Sequence, residues 1–227
     1  TTIEKLNKII SEIRSIENIK SIGLSGGLTD IPVAGKGDFD IFLYCDEIPD
    51  IKKREMVLER VVKKDDINNS ILTDLEIQKF ISDKWGDCDY FKINGIDTWL
   101  MYFKVDSVIE DLNKVLNGEY LDRVDNYFFP IGRVAMFQNL SILYDKEEFL
   151  KEIKLKIQEY PLILKTRMIK YNLELVEDFE DLERAVDRKD TLFYHFALDI
   201  SLDHFFLCLF ALNNCYFPSR KRTLKFI

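Results

Sequence analysis

GLSGGLTDIPVAGKGDFDIFLYC, residues 23–45, is the stretch that decides how the first half of the chain folds. A short apolar run ends in Ser25, Gly26 and Gly27. A polar loop follows, and a second apolar run opens with Asp38 and Asp40. Side chains alternate faces along a strand, so Asp38 and Asp40 project from one face while Phe39 and Ile41 point to the other, into a core. Two acids side by side repel unless a cation or basic group lies between them. A tight turn with an acid-capped strand end would explain each half separately. Taken together, glycines whose backbone N–H groups can approach an anion closely and a facing pair of carboxylates suit a nucleotide's phosphates and divalent ions.

Outward from this stretch the pattern reads as an α+β fold. Ile3, Leu6, Ile9, Ile10, Ile13 and Ile16 recur at helical spacing over about residues 2–18, with Thr1 and Glu4 as a capping box. Ser21–Leu24 and Phe39–Cys45 read as strands, and Pro49–Asp50 opens a helix to about Lys63. Residues 64–89 carry no clear period, and Asp87 and Asp89 are expected in a solvated loop. Asn94-Gly95 between two apolar, aromatic runs in Tyr90–Phe103 predicts a two-residue hairpin, since a type I′ turn needs two residues tolerant of positive φ. Asp97 then opens a hairpin strand with Lys92 directly opposite, and a cross-strand ion pair would account for both residues without catalysis. Asp106 is expected to cap a helix that Gly118 ends, and Ser141–Tyr144 reads as the last strand.

After Asp145 helical segments dominate, at about 146–159, 162–176, 178–187 and 190–213, and no glycine follows Gly132. The expectation is therefore a mixed sheet with flanking helices in a domain spanning 1–145, followed by a C-terminal helical bundle in 146–227. In the long last helix Phe193, Phe196, Phe205, Phe206 and Phe210 read as core. His195, Asp199 and Asp203 share one face; Asp199 and Asp203 are expected to line an acceptor site in a cleft between the two domains and attract a cationic substrate. The tail FPSRKRTLK concentrates Arg220, Lys221, Arg222 and Lys225, either as an exposed basic face or as a clamp on phosphates.

Composition bounds the partners. The 227 residues carry 32 Lys and Arg against 40 Asp and Glu, a net charge of −8, which disfavours wrapping of a long nucleic acid. Of the four cysteines, Cys45, Cys88 and Cys208 sit beside apolar or aromatic residues and Cys215 completes the set; no C-x-x-C pair occurs. Small buried thiols, an N-terminus without a signal-peptide core, and an apolar stretch (192–212) interrupted by His195, Asp199, Asp203 and His204 together predict a cytoplasmic protein without a membrane span.

A glycine pair, a short linker and Asp-Phe-Asp-Ile resemble the signature of the DNA polymerase β-type nucleotidyltransferase superfamily, with Asp97 matching the third carboxylate of a later strand. Order and rough spacing resemble the antibiotic (aminoglycoside and lincosamide) nucleotidyltransferases and related bacterial proteins, and ALNNCYFPSRKR resembles the helical domain of the latter group. The resemblance implies that Ser25, Gly26 and Gly27, with Lys221, hold the phosphates of an NTP. It implies that Asp38 and Asp40 bind two Mg²⁺ ions, and that Asp97 binds the catalytic metal and helps deprotonate an acceptor hydroxyl. The implied reaction is transfer of a nucleoside monophosphate from NTP to a small hydroxyl-bearing acceptor with release of pyrophosphate. The competing readings are a non-catalytic nucleotide-sensing or toxin–antitoxin-type partner-binding protein on the same fold, and transfer to tRNA or protein.

Overall fold

A computed structural model describes residues 1–26, 31–63, 72–78, 87–123, 129–176 and 180–225. The chain divides into two compact units, Thr1–Ile109 with Asn139–Leu155, and Glu110–Gln138 with Lys156–Ile227. The units interleave along the chain, whereas the division drawn at residue 145 follows chain order.

In the first unit, α1 (Thr2–Ile13) starts where the sequence places it. Thr1 and Glu4 form the capping box, with the Glu4 N–H donating to Thr1 Oγ1 at 3.3 Å. The helix ends earlier than its hydrophobic period, because Ser15 and Ile16 turn into tighter bonds to the Glu12 and Ile13 carbonyls. Then come β1 (Ile19–Leu24), β2 (Asp38–Cys45), α2 (Ile51–Lys63), β3 (Leu72–Gln78), β4 (Asp87–Ile93), β5 (Ile96–Lys104) and β6 (Ser141–Asp145). They form a six-stranded sheet in the order β3-β4-β5-β2-β1-β6. Only β2 and β5 run parallel; the other pairs are antiparallel.

One face of this sheet carries the core. Phe39, Ile41, Leu43, Phe91, Leu100 and Tyr102 pack with Leu6, Ile9 and Ile13 of α1 and Val57, Leu58 and Val61 of α2. Alternation thus sends Phe39 and Ile41 inward, as the sequence requires, and turns Asp38 and Asp40 to the opposite face. The hairpin forms at Asn94 (φ 53°) and Gly95 (φ 78°), the pair of positive-φ residues that a type I′ turn demands.

The solvated loop expected around Asp87 and Asp89 is instead strand β4. Both carboxylates lie on its core face, and Asp89 is fully buried. Arg54 of α2, also fully buried, explains how: its guanidinium sits 3.3 Å from Asp87 and 3.6 Å from Asp89, and 4.8 Å from the Tyr102 ring centre. A buried charge survives when it is paired. Burial is the main reason the Tyr102 hydroxyl is pushed well above the usual tyrosine range, with Asp89 adding to the shift.

The second unit is helical. Its elements are the end of α3 (Val105–Leu116), α4 (Pro130–Asn139) up to Gln138, α6 (Leu162–Val176), α7 (Glu180–Arg188), α8 (Thr191–Leu212) and a 3-10 turn at Arg220–Lys225; α5 (Phe149–Lys156), between α4 and α6 in the chain, lies mostly in the first unit. Asp106 lies inside the first turn of α3 rather than capping it, and Gly118 (φ 70°) ends that helix. Helix α8, capped by Asp190, packs against α6 and α7. Among the described residues it is the one helix long and apolar enough, by length and composition, to cross a membrane.

Its aromatic residues do not all enter a core. Phe210 is buried against Phe217, whereas Phe196 and Phe205 are 61% and 46% exposed. A helix apolar on every side has more apolar surface than α6 and α7 cover. The thiols are all free: Cys45 and Cys208 are buried, Cys88 half-buried and Cys215 exposed. Burial pushes the Cys45 and Cys88 thiols up to about 12.

Candidate functional site

The strand registers assemble the site. Across the parallel β2–β5 pair, Asp38 is opposite Asp97 and Asp40 is opposite Trp99; across the hairpin, Lys92 is opposite Asp97 and Tyr90 is opposite Trp99. Paired residues share a face, so these six side chains line the sheet face turned away from α1 and α2. Further along that face Tyr44 packs against Phe103 and Phe149, which closes it. The acidic end stays accessible: Asp38 is exposed, Asp40 half-buried and the Asp97 side chain 41% exposed.

Among the described residues Asp97 has two partners. The Tyr90 hydroxyl donates to its Oδ1, and Lys92 Nζ approaches the same oxygen at 3.8 Å. The ion pair anticipated from the hairpin register is therefore present, on a carboxylate that also faces Asp38. Tyr90 and Trp99 were not picked out from the sequence as site residues. The signal was available, since the Asn94-Gly95 turn fixes the register that sets them opposite each other two steps along from Lys92 and Asp97.

The glycine loop begins beside these acids. The Ser25 N–H donates to the Asp40 carbonyl at 2.9 Å, extending the β1–β2 ladder, and the Ser141 hydroxyl donates to the Gly26 carbonyl at 2.7 Å. Gly26 has φ 82° and open space where a side chain would begin. The Ser25 N–H is thus committed to the sheet. Gly27 lies outside the described residues.

In the second unit Asp199 and Asp203 are held by the tail. Arg220 donates from Nε to Asp203 Oδ1 at 2.6 Å and from Nη1 to Asp199 Oδ2 at 2.8 Å, and its Nη2 meets Asp203 Oδ2. Arg123 Nη1 adds a contact to Asp203 at 3.0 Å, and Asp203 is buried. Arg220 is therefore a brace across α8. Lys221 is exposed on the 3-10 turn, and the side chains of Arg222 and Lys225 lie outside the described residues. His195 is exposed, and His204, to which its sequence context gives no role, is buried.

Among the described residues, no group of three or more His, Cys, Asp or Glu side chains closes into a metal-binding cluster. The donor chemistry nevertheless fits magnesium. This hard cation takes oxygen ligands and is usually held by one or two carboxylates, with water and substrate phosphates completing the shell. Asp38 and Asp40 supply that minimum without a preformed cage.

A family model described as "Domain of unknown function (DUF4037)" matches residues 128–222. No curated protein matches the chain. Among solved structures, the chain is similar to a nucleotidyltransferase-like protein from Exiguobacterium sibiricum 255-15, at 10% identity and a TM-score of 0.48. The match covers 94% of this chain and 58% of that one, so the chain spans less than two thirds of the neighbour's length.

Proposed function

We propose that the chain is a magnesium-dependent nucleotidyltransferase that moves a nucleoside monophosphate from NTP to a hydroxyl of a small acceptor and releases pyrophosphate. The observation that carries this reading is the convergence of Asp38, Asp40 and Asp97 on one accessible sheet face, on adjacent parallel strands, beside a loop with a positive-φ glycine. Asp38 and Asp40 would hold the magnesium ions, which when bound neutralise charge on the triphosphate. Asp97 takes the proton of the acceptor hydroxyl as that oxygen forms its bond to the α-phosphorus. The bond from the α-phosphorus to the bridging oxygen breaks, and pyrophosphate leaves with its electron pair. Ser25, Gly26 and Gly27 would receive the outer phosphates, Ser25 through its side chain because its N–H is bonded within the sheet. Lys221 belongs to the proposal as a cation for the triphosphate, on its exposed charge. Asp199 and Asp203 would serve an acceptor only by sharing the guanidinium that holds them.

The chain's net charge of −8 favours a small acceptor over a long nucleic acid, because long-range steering repels a polyanion. The Lys92–Asp97 pair favours a second reading, a non-catalytic nucleotide-binding protein in which Asp97 only ties the hairpin together. One experiment separates the two: magnesium-dependent pyrophosphate release from mixed NTPs over a pool of hydroxyl-bearing small molecules, with Asp40→Ala alongside. Release by the wild type and none by the variant supports transfer. Nucleotide binding without release supports the second reading.

A further inference from the structure

We propose that Tyr90 and Lys92 are positioning residues that tether one oxygen of Asp97 and leave the other, Oδ2, as the oxygen through which Asp97 acts. The inference rests on the reading of Asp97 as the proton-accepting carboxylate. Its basis is the direction of the contacts. Tyr90 donates its hydroxyl to Oδ1, and Lys92 Nζ approaches Oδ1 at 3.8 Å. Both contacts fall on Oδ1, and the side chain is 41% exposed.

A structural pair does not need this arrangement. Lys92 lies directly opposite Asp97 and is itself 35% exposed, so it makes a cross-strand ion pair of the kind worth about 0–1 kcal/mol. Tyr90 stands on the diagonal, two residues along the strand, where a long aromatic side chain still reaches. It spends that reach on the oxygen already facing Lys92. Its ring is fixed in turn by Trp99, with centroids 4.7 Å apart and planes tilted by 46°.

The chain of support therefore runs from the type I′ turn, which sets the register, to the Trp99–Tyr90 ring pair, to the Tyr90 hydroxyl, to Oδ1. A carboxylate anchored at one oxygen cannot rotate freely about its last torsion. Its other oxygen is held in a set direction on the sheet face that Asp97 shares with Asp38 and Asp40. Supporting groups of this kind orient a metal-binding or proton-accepting carboxylate and raise its effectiveness without touching the substrate.

The test uses Tyr90→Phe, which removes the hydroxyl and keeps the ring against Trp99. It is compared with wild type, Asp97→Asn and Asp40→Asn in three measurements: Mn²⁺ affinity of the nucleotide-free chain by electron paramagnetic resonance titration, the rate of pyrophosphate release from NTP, and the melting temperature. The expected result is a loss of about 10-fold or more in release rate or Mn²⁺ affinity for Tyr90→Phe, in the direction of Asp97→Asn, with NTP KM and melting temperature unchanged. Wild-type rate and Mn²⁺ affinity in Tyr90→Phe, with Asp40→Asn impaired, overturn the tether and leave the proposed function standing. Wild-type behaviour of Asp40→Asn as well removes the proposed function and the tether with it. A loss in Tyr90→Phe that only tracks a fall in melting temperature assigns the hydroxyl to stability and also overturns the tether.

Discussion

Asp38 of β2 and Asp97 of β5 stand directly opposite one another across the one parallel strand pair of the sheet. Like charges in facing positions destabilise a sheet. With no cation between them, this pair opposes folding; with a divalent ion present, the repulsion becomes attraction to a shared partner.

The first prediction follows from that sign. Asp38→Asn is expected to stabilise the chain by a few tenths of a kcal/mol in chelator, about the low end of a cross-strand pair term, while abolishing pyrophosphate release. Addition of Mg²⁺ is expected to raise the melting temperature of wild type more than that of the variant. Thermal unfolding with and without chelator checks it, and a variant less stable than wild type in chelator contradicts the repulsion.

The second concerns Arg54. Its guanidinium is fully buried between α2 and the sheet, beside Asp87 and the fully buried Asp89. Removing one partner leaves an uncompensated buried charge, so Arg54→Ala is expected to lose about 3–5 kcal/mol in urea unfolding. Arg54→Met with Asp89→Leu, which removes the two fully buried charges, keeps apolar volume and leaves only the partly exposed Asp87, is expected to recover a large part of that loss. A double variant as unstable as the single one would show that packing around the arginine, rather than the charge left behind, dominates.

Arg54 also shows where the sequence stops being legible. An arginine in the charged run Lys52-Lys53-Arg54-Glu55 of helix α2 looks like a solvent-facing residue, and Asp87 and Asp89 look like loop acids. Each becomes interpretable only through the other, across more than 30 positions of chain. The site face was legible for the opposite reason: alternation fixed Asp38, Phe39, Asp40 and Ile41, and Asn94-Gly95 fixed Lys92 against Asp97, all by local rules. What local rules did not supply was the parallel pairing of β2 with β5, which brings Asp97 opposite Asp38. Nor did they supply β3 and α4, whose sequences carry weak periodicity. The α8 aromatics went astray because an all-round apolar helix has no period from which to choose its buried side.

The third prediction is a pH dependence from His204. Its Nδ1 lies 2.8 Å from Asn172 Oδ1, while the Asn172 amide donates to the Leu121 and Met168 carbonyls at 2.9 Å. This orients Oδ1 as an acceptor and places the imidazole proton on Nδ1. Burial is the main cause that holds the His204 pKa below 6.5; Arg123 acts the same way, and Asp122 and Asp203 oppose. The unfolded chain therefore takes up a proton near its ordinary value while the folded chain resists. The contribution is fully present above about pH 6.5 and is lost as pH falls through the depressed folded value. His204→Gln, which retains a donor for Asn172, is expected to flatten this part of the stability profile between pH 7.5 and 5.5. An unchanged slope in the variant assigns the dependence to other groups.

The last prediction concerns Gly23, the glycine that begins the decisive stretch. It lies in β1 between Phe42 of β2 and Ile142 of β6. A methyl group there would come within 2.3 Å of Leu140 Cδ2 and 2.7 Å of Cγ. That is far inside contact distance, so the leucine or the strand must move. Gly23→Ala is expected to destabilise by about 1–3 kcal/mol, the usual range for overpacking a filled site. Leu140→Ala alone leaves a cavity beside the same glycine and is expected to lose about 2–5 kcal/mol. Each change relieves the defect that the other makes, since the new methyl occupies part of the space the leucine vacates. The double variant should therefore fall short of the sum of the singles by a measurable coupling, of order 0.5 kcal/mol or more. Urea unfolding of the four proteins in the cycle reads this directly. Strict additivity would mean that β1 shifts away from Leu140 instead, and β1 ends in the Ser25 and Gly26 loop, so nucleotide binding should then change in Gly23→Ala as well.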